Sequence, residues 1–210
     1  MVHHAIVQVI EPLFERRFIF DSYACRRGKG TQAAWQRAHS FVRRYRFALQ
    51  TDIVKFFPHV DHGVLMELLS RTIADDDLLE LICRIVDSGE GIFGDEAALQ
   101  YFPGDDLFAA LRPTGLPIGN LTSQFFANVL LDQVDHAVKD EWCVPGYVRY
   151  SDDLLLFSDD KKFLWDCRYR LQERLNDLRL NLHPDKTMVV RCDQGLKFLG
   201  FVLSSEAVRL

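Results

Sequence analysis

Two adjacent aspartates, Asp152 and Asp153, stand between the apolar runs Tyr147-Val148-Arg149-Tyr150 and Leu154-Leu155-Leu156-Phe157. Asp is a poor strand former and neighbouring carboxylates repel, so the pair needs a reason to be there. An ordinary turn is one reason, because Asp is a common turn residue. Two-residue turns, however, favour Asn-Gly or Asp-Gly, and no glycine is present here. A divalent cation is another reason, since it relieves the repulsion. A third carboxylate favours the cation. Asp52 ends a second apolar run, Phe47-Ala48-Leu49, and is followed by Lys55-Phe56-Phe57-Pro58. If both runs are central strands of one sheet, Asp52 faces the hairpin tip, and Asp52, Asp152 and Asp153 surround a pair of Mg²⁺ ions. Magnesium takes hard oxygen ligands and keeps places for phosphate and water. Two such ions, about 3.5–4 Å apart, stabilise the attacking and leaving oxygens of a phosphoryl displacement.

The elements that must position these groups are legible in outline. Residues His4 to Phe20 are apolar at helical spacing, with Pro12 expected to bend or restart the helix. Arg26-Arg27-Gly28-Lys29-Gly30 reads as a loop, and Thr31 as the N-cap of a helix through Trp35, Phe41 and Tyr45. Residues 47–53 read as a strand. Asp61 and Asp75 to Asp77 open two further helices, the second ending near Gly89. Residues 89–117, rich in Gly, Pro and Asp, predict a long loop with room for a short hairpin. Residues 122–139 and 161–178 predict helices, 144–158 a hairpin, and 180–182, 187–190 and 198–203 closing strands. Strands and helices mix without regular alternation, so the expected class is α+β.

Composition narrows the field. Of 210 residues, 48% are hydrophobic and 26% charged, as in an ordinary globular protein. No apolar run approaches the roughly 20 residues that cross a bilayer, and no signal-peptide pattern stands at the start, so no membrane partner is expected. The cysteines (Cys25, Cys83, Cys143, Cys167, Cys192) are scattered and form no CxxC pair, which argues against structural zinc and disulfides and for a reducing cytoplasm. Net charge is −5, which taken alone speaks against nucleic acid. Its distribution speaks the other way. Between Arg16 and Arg46 lie Arg16, Arg17, Arg26, Arg27, Lys29, Arg37, Arg43, Arg44 and Arg46 against a single acid, Asp21. A basic end that grips phosphates and a solvated helix face explain that charge equally well.

Four blocks, in order, resemble reverse transcriptases. Tyr150-Ser151-Asp152-Asp153 matches the YxDD box of that family. Thr51-Asp52-Ile53-Val54-Lys55-Phe56-Phe57 is similar to its first catalytic segment. Gly115-Leu116-Pro117-Ile118-Gly119-Asn120-Leu121-Thr122-Ser123-Gln124 resembles the segment beneath template and nucleotide. Leu182-His183-Pro184-Asp185-Lys186-Thr187 and Phe198-Leu199-Gly200-Phe201 resemble the last palm segments. Ile118-Gly119 in place of the common Gln-Gly, with Ser22-Tyr23-Ala24-Cys25-Arg26 upstream, looks most like the enzymes of bacterial and phage diversity-generating retroelements. Group II intron and retron enzymes are the nearest alternatives.

The resemblance implies a right-hand polymerase with an antiparallel palm sheet flanked by helices. It assigns residues 1–47 to partial fingers, 48–203 to the palm, and 204–210 to the start of a missing thumb connection. It makes Asp52, Asp152 and Asp153 the metal ligands, for two Mg²⁺ with Mn²⁺ able to substitute, and has Ile53 offer a backbone carbonyl. Phe57 becomes the steric gate against ribonucleotides, Tyr150 a neighbour of the primer end, and Ile118, Gly119 and Gln124 contacts near the nucleotide. Lys186 protonates the leaving pyrophosphate, a task suited to a lysine of depressed pKa. Arg26, Arg27 and Lys29 are assigned to nucleic acid. The implied partners are an RNA template, a DNA or RNA primer, dNTP and a small basic accessory protein, in a bacterial or phage-encoded cytoplasmic setting. Residue by residue, plainer roles compete: Phe57 as core, Lys186 as an exposed turn lysine, Pro117-Ile118-Gly119 as a simple lead into a helix. An RNA-binding module without catalysis and a nucleotide cyclase are the competing functions. The cyclase usually carries a Gly-Gly-acid-acid turn, and Arg149-Tyr150-Ser151 is not one.

Overall fold

The structure is a computed structural model that describes residues 1–94, 100–204 and 208–209. In chain order its elements are α1 (Val2–Glu15), α2 (Thr31–Val42), β1 (Phe47–Thr51), α3 (Phe56–His59), α4 (His62–Ser70), α5 (Asp76–Asp87) and α6 (Leu121–His136). A π-type turn, Ala137–Glu141, prolongs α6. There follow β2 (Gly146–Tyr150), β3 (Asp153–Ser158), α7 (Lys161–Asp177), β4 (Met188–Arg191), β5 (Leu196–Phe198), β6 (Phe201–Leu203) and β7 (Val208–Arg209). The chain divides into two compact units: Met1–Phe18, Val54–Asp132 and Leu175–Asn181, and Ile19–Ile53, Gln133–Arg174 and Leu182–Leu210.

The first unit is helical. Helix α1 buries Ile6, Val7, Ile10 and Phe14 and runs through Pro12 without restarting. Pro12 removes a single hydrogen bond near the last turn, and Phe14, edge-on to Phe125 at 5.6 Å, anchors the helix beyond it. The acidic caps form as predicted. Asp61 accepts from the Val64 N–H at 2.9 Å and Asp75 from the Leu78 N–H at 2.9 Å, each satisfying one of the amides that a helix leaves without a partner. Arg112 reaches both Asp61 and Asp105 and so ties the loop before α6 to the start of α4. Within 89–117 the described residues hold a 3-10 turn, Ala109–Leu111, and no hairpin; residues 95–99 lie outside the description.

In the second unit a four-stranded antiparallel sheet has the order β2-β3-β1-β4, so the strands that carry the aspartates are the two central ones. On one face, Ala48, Val148, Leu155 and Phe157 meet Ala34, Ala38, Phe41 and Val42 of α2. On alternate positions Leu49, Tyr147, Leu154 and Leu156 are equally buried. Burial on both faces accounts for runs that are continuously apolar instead of alternating. Strands β5, β6 and β7 make a second, small antiparallel sheet, with Leu199 and Gly200 both at positive φ in the tight turn between Phe198 and Phe201.

Two expectations are corrected in this unit. The residue before α2 is Gly30, at φ 106°, and Thr31 is the first helical residue, its hydroxyl donating to the Tyr150 hydroxyl at 3.1 Å. Glycine takes that dihedral without cost, and the threonine side chain is engaged elsewhere. The strand expected at 180–182 reduces to a bridge between Leu182 and Ile53. His183-Pro184 follows at once, and a proline has no N–H with which to extend a ladder.

Gly146 shows how closely α2 approaches the sheet. A Cβ there would lie 2.9 Å from the Phe157 Cβ, 3.0 Å from Tyr45 and 3.2 Å from Phe41. Gly146→Ala is expected to destabilise the chain by about 1–3 kcal/mol through overpacking. Chemical denaturation checks this, with an unchanged midpoint as the contrary result.

Candidate active site

The antiparallel register between β1 and β3 pairs Phe47 with Ser158 and continues to Thr51 with Leu154. One step further sets Asp52 against Asp153, from segments about a hundred residues apart in sequence. Asp152 lies in the turn at the same tip. Tyr150 pairs with Asp153 across β2 and β3, leaving Ser151 and Asp152 as a two-residue turn. No glycine relieves that turn. Ser151 itself takes the left-handed conformation, φ 55°, at a cost of about 1–2 kcal/mol. Such a cost is borne only where surrounding structure holds the residue in place.

The electrostatics follow from this crowding. Burial, then the charges of Asp152 and Asp52, push the Asp153 carboxyl up to about 6, with Lys186 opposing. Burial chiefly raises Asp152 as well; its own backbone N–H counters this and the Asp52 charge adds to it. Two partly buried carboxylates are therefore held in a form that is hard to ionise, beside a third. A hard-oxygen donor set that is desolvated and mutually repelling fits a divalent cation. Asp52, Asp152 and Asp153 are the residues that would hold it. Among the described residues, however, no three His, Cys, Asp or Glu side chains already converge at ligating distance.

In this arrangement Asp52 is ion-paired with Lys186. The pairing is enforced by the turn between Leu182 and β4. The His183 N–H donates to the Asp52 carbonyl at 2.8 Å, Thr51 and Thr187 share a hydroxyl contact at 2.7 Å, and the Thr187 hydroxyl donates to the His183 carbonyl at 2.6 Å. Lys186 is exposed, and its hydrogen bond to Asp52 raises its pKa, the opposite of the depressed value expected of an acid poised near neutrality. An open cavity of about 400 Å³ adjoins these groups, lined by Gln50, Asp52, Asp153, Lys186, Met188 and Lys197 among others. The Phe198-Leu199-Gly200-Phe201 turn lines a neighbouring cavity of about 340 Å³ with Asp153 and Lys197.

The remaining expected site residues fall in two places. Tyr150 is half-buried in the second unit and Ile53 is buried there. In the same unit Arg26 donates to the Ile19 and Ser22 carbonyls at 2.6 and 2.9 Å. Lys29 donates to the Phe20 carbonyl at 2.8 Å, with its ammonium 3.5 Å above the Phe20 ring. Both cations thus also brace their own loop, while Arg27 is exposed. In the first unit Phe56 is the core aromatic, and Phe57 is half-buried against it at 5.3 Å. The Leu116 N–H donates to the Phe57 carbonyl at 2.9 Å, bringing the start of the third block beside the aromatic of the first. Ile118 and Gly119 are exposed, Gly119 at φ 95°, and Gln124 lies half-buried in the first turn of α6.

Two residues that sequence reading passed over are Arg149 and Asp135. Both side chains are fully buried and joined by bidentate hydrogen bonds of 2.7 and 2.6 Å. Their signal was an arginine inside a continuously apolar strand, which demands a partner for its charge.

The architecture and site define a fingers-and-palm polymerase fold. The chain matches the solved apo telomerase of Candida tropicalis with a TM-score of 0.69, covering 99% of this chain and 40% of that one at 11% identity. It matches Candida albicans telomerase in complex with a TWJ fragment of telomeric RNA with a TM-score of 0.61, covering 97% of this chain and 36% of that one at 15% identity. A family model described as reverse transcriptase (RNA-dependent DNA polymerase) matches residues 1–203, and the chain belongs to that family. Protein YkfC of Escherichia coli is 24% identical, covering 95% of this chain and 59% of that protein. A putative COX1/OXI3 intron 1 protein of Saccharomyces cerevisiae is 21% identical, covering 97% and 29%. A nuclear intron maturase 1 of Arabidopsis thaliana is 29% identical over 39% of this chain and 12% of its own. The chain thus spans 59% or less of the length of these curated relatives. Among the described residues no helix is long and apolar enough to cross a membrane.

The raised Asp153 pKa carries a stability prediction. A carboxyl whose folded pKa exceeds its unfolded value of about 3.9 stabilises the fold fully below that value, and the contribution is lost as pH rises through about 6. Asp153→Asn should therefore raise stability at pH 8 by about 1–2 kcal/mol after allowance for solvent screening, and much less at pH 4. Melting curves of both proteins across that range check it; a gain independent of pH would contradict the electrostatic cause.

Proposed function

We propose that the chain is the fingers-and-palm portion of an RNA-directed DNA polymerase, in which a primer 3′-hydroxyl attacks the α-phosphate of a dNTP and pyrophosphate leaves. The observation that carries this reading is the strand register that sets Asp52 opposite Asp153, next to Asp152 in sequence, at one end of the two central strands. Bound there, two Mg²⁺ ions would supply charge neutralisation for the attacking and leaving oxygens. Asp52, Asp152 and Asp153 are the ligands, with the Ile53 carbonyl beside them.

The remaining work belongs to positioning. Lys186, already within reach of Asp52, exchanges that partner for the departing phosphate, where its ammonium proton can be given up. Half-burial of Phe57 against Phe56 supports a fixed ring that disfavours a ribose 2′-hydroxyl. Tyr150, tethered by Thr31, stands beside the primer end. Ile118, Gly119 and Gln124 face the nucleotide, and Arg26, Arg27 and Lys29 face the RNA template or its primer. In domain terms, residues 1–47 form part of the fingers and 48–203 the palm. The narrower reading, an enzyme of the diversity-generating retroelement type with a small basic accessory protein, rests on Ile118-Gly119 and the blocks upstream. The intron-encoded relatives support the group II alternative equally.

Primer extension on an RNA template with dNTP and Mg²⁺ tests the proposal. Asp152→Asn is expected to lower extension by at least about 10²–10³-fold. Lys186→Leu is expected to lower kcat by about 10²-fold with little change in the KM for dNTP. Equal extension by wild type and Asp152→Asn would remove the carboxylates from the chemistry.

A further inference from the structure

The strained turn that carries Asp152 and Asp153 is held by something, and the structure identifies it. Arg149 is the largest fully buried side chain among the described residues. Its Nε and one terminal nitrogen grip Asp135, and that nitrogen also donates to the Ser22 hydroxyl at 3.0 Å. Its other terminal nitrogen donates to the Ser151 carbonyl at 3.2 Å. The Tyr147 hydroxyl donates to the same Asp135 oxygen at 2.7 Å. The Arg149 backbone is engaged too: its N–H donates to the Asp21 carbonyl at 2.9 Å, and its own carbonyl accepts from the Tyr23 N–H at 3.0 Å. Arg37 in turn donates to Asp21 at 2.8 Å.

The Ser151 carbonyl and the Asp152 N–H belong to one planar peptide unit. A hydrogen bond that fixes the orientation of that carbonyl fixes the plane, and with it the position of the Asp152 Cα, leaving only φ of Asp152 to set where its side chain departs. Ser151 at φ 55° lacks a glycine's freedom, so the turn depends on contacts that hold it: its own hydroxyl donates to the Asp152 carboxylate, and Arg149 holds its carbonyl. A guanidinium is suited to this because its fork is planar and its donors point in fixed directions; an ammonium would offer charge without the fork. A buried ion pair is, by contrast, a poor way to gain stability, since desolvation of both charges offsets their attraction.

We infer that Arg149, locked on Asp135, is the positioning residue of the carboxylate turn, and that it couples the turn to the Asp21-Ser22-Tyr23 segment leading to the basic loop. This rests on the reading of that turn as the metal-binding end of a polymerase palm. Arg149 touches neither nucleotide nor metal; it acts through the Ser151–Asp152 peptide.

The test compares the wild-type chain with Asp135→Leu/Tyr147→Phe/Arg149→Met, which replaces the charged pair and its tyrosine hydroxyl with apolar groups of similar size, and with Arg149→Lys, which keeps the charge. Three quantities are read: melting temperature, amide hydrogen exchange at residues 150–153, and Mn²⁺ binding by paramagnetic relaxation. The triple variant is expected to melt near or above the wild type. Its turn amides should nonetheless exchange at least about tenfold faster, and Mn²⁺ affinity should fall by about 10–100-fold. Arg149→Lys should show the same two losses in smaller measure, and it carries the comparison if the triple variant does not fold. Unchanged exchange at 150–153 in a folded variant would overturn the inference and leave Arg149 as core packing. Faster exchange in the variants with no Mn²⁺ binding by any of the proteins, wild type included, would sink the metal-site reading while the positioning role stands.

Discussion

The pairing of β1 with β3 is the constraint on which the rest depends. It brings a carboxylate from residue 52 towards carboxylates at 152 and 153, and it works through register. A slip of one residue would turn every side chain of β1 to the opposite face, putting Ala48 where Leu49 now packs and carrying Asp52 away from the tip. Burial on both faces makes such a slip costly. The hydrophobic contacts of Ala48, Leu155 and Phe157 with α2 thus specify the electrostatics at the far end of the strands.

Concentrating three carboxylates at one end of a sheet is unfavourable in the absence of cations, and two side chains manage the strain in different ways. Lys186 supplies an exposed positive charge to Asp52, near enough to neutralise it. Arg149 supplies geometry. Its charge is already matched by Asp135, so it adds little net field to the site, and its remaining donor holds the peptide from which Asp152 projects. One cation adjusts charge at the mouth of the site, the other shape behind it. Arg149, buried and fully paired, is the preorganised member of the two, able to hold its neighbours without moving itself.

The relationships of the chain fit this division. Identity to solved telomerases is 11–15%, yet the fold is shared across nearly the whole of this chain. A fold conserved at so little identity is a fold specified by pattern, with apolar central strands, acidic ends and tight turns, more than by particular core residues. Two of the relatives found by sequence carry intron-related names, and all three are longer than the region matched.

How much of this was legible beforehand differs from residue to residue. The sequence by itself determined the α+β class, the hairpin around Asp152-Asp153, the caps at Asp61 and Asp75, and the candidacy of Asp52, because these depend on local period, local turn chemistry and an ordered set of short motifs. It could not determine that Pro12 leaves α1 intact, or that residues 180–182 stop at a single bridge, since packing and a following proline decide those. Nor could it choose between Phe56 and Phe57 for the core. Only the tertiary structure decided that Lys186 pairs with Asp52 and that Arg149 is buried on Asp135 beneath the turn. Those contacts join residues 134 and 14 positions apart, separations set by the strand pairings and the packing of the end of α6 on the sheet, which local periodicity does not encode.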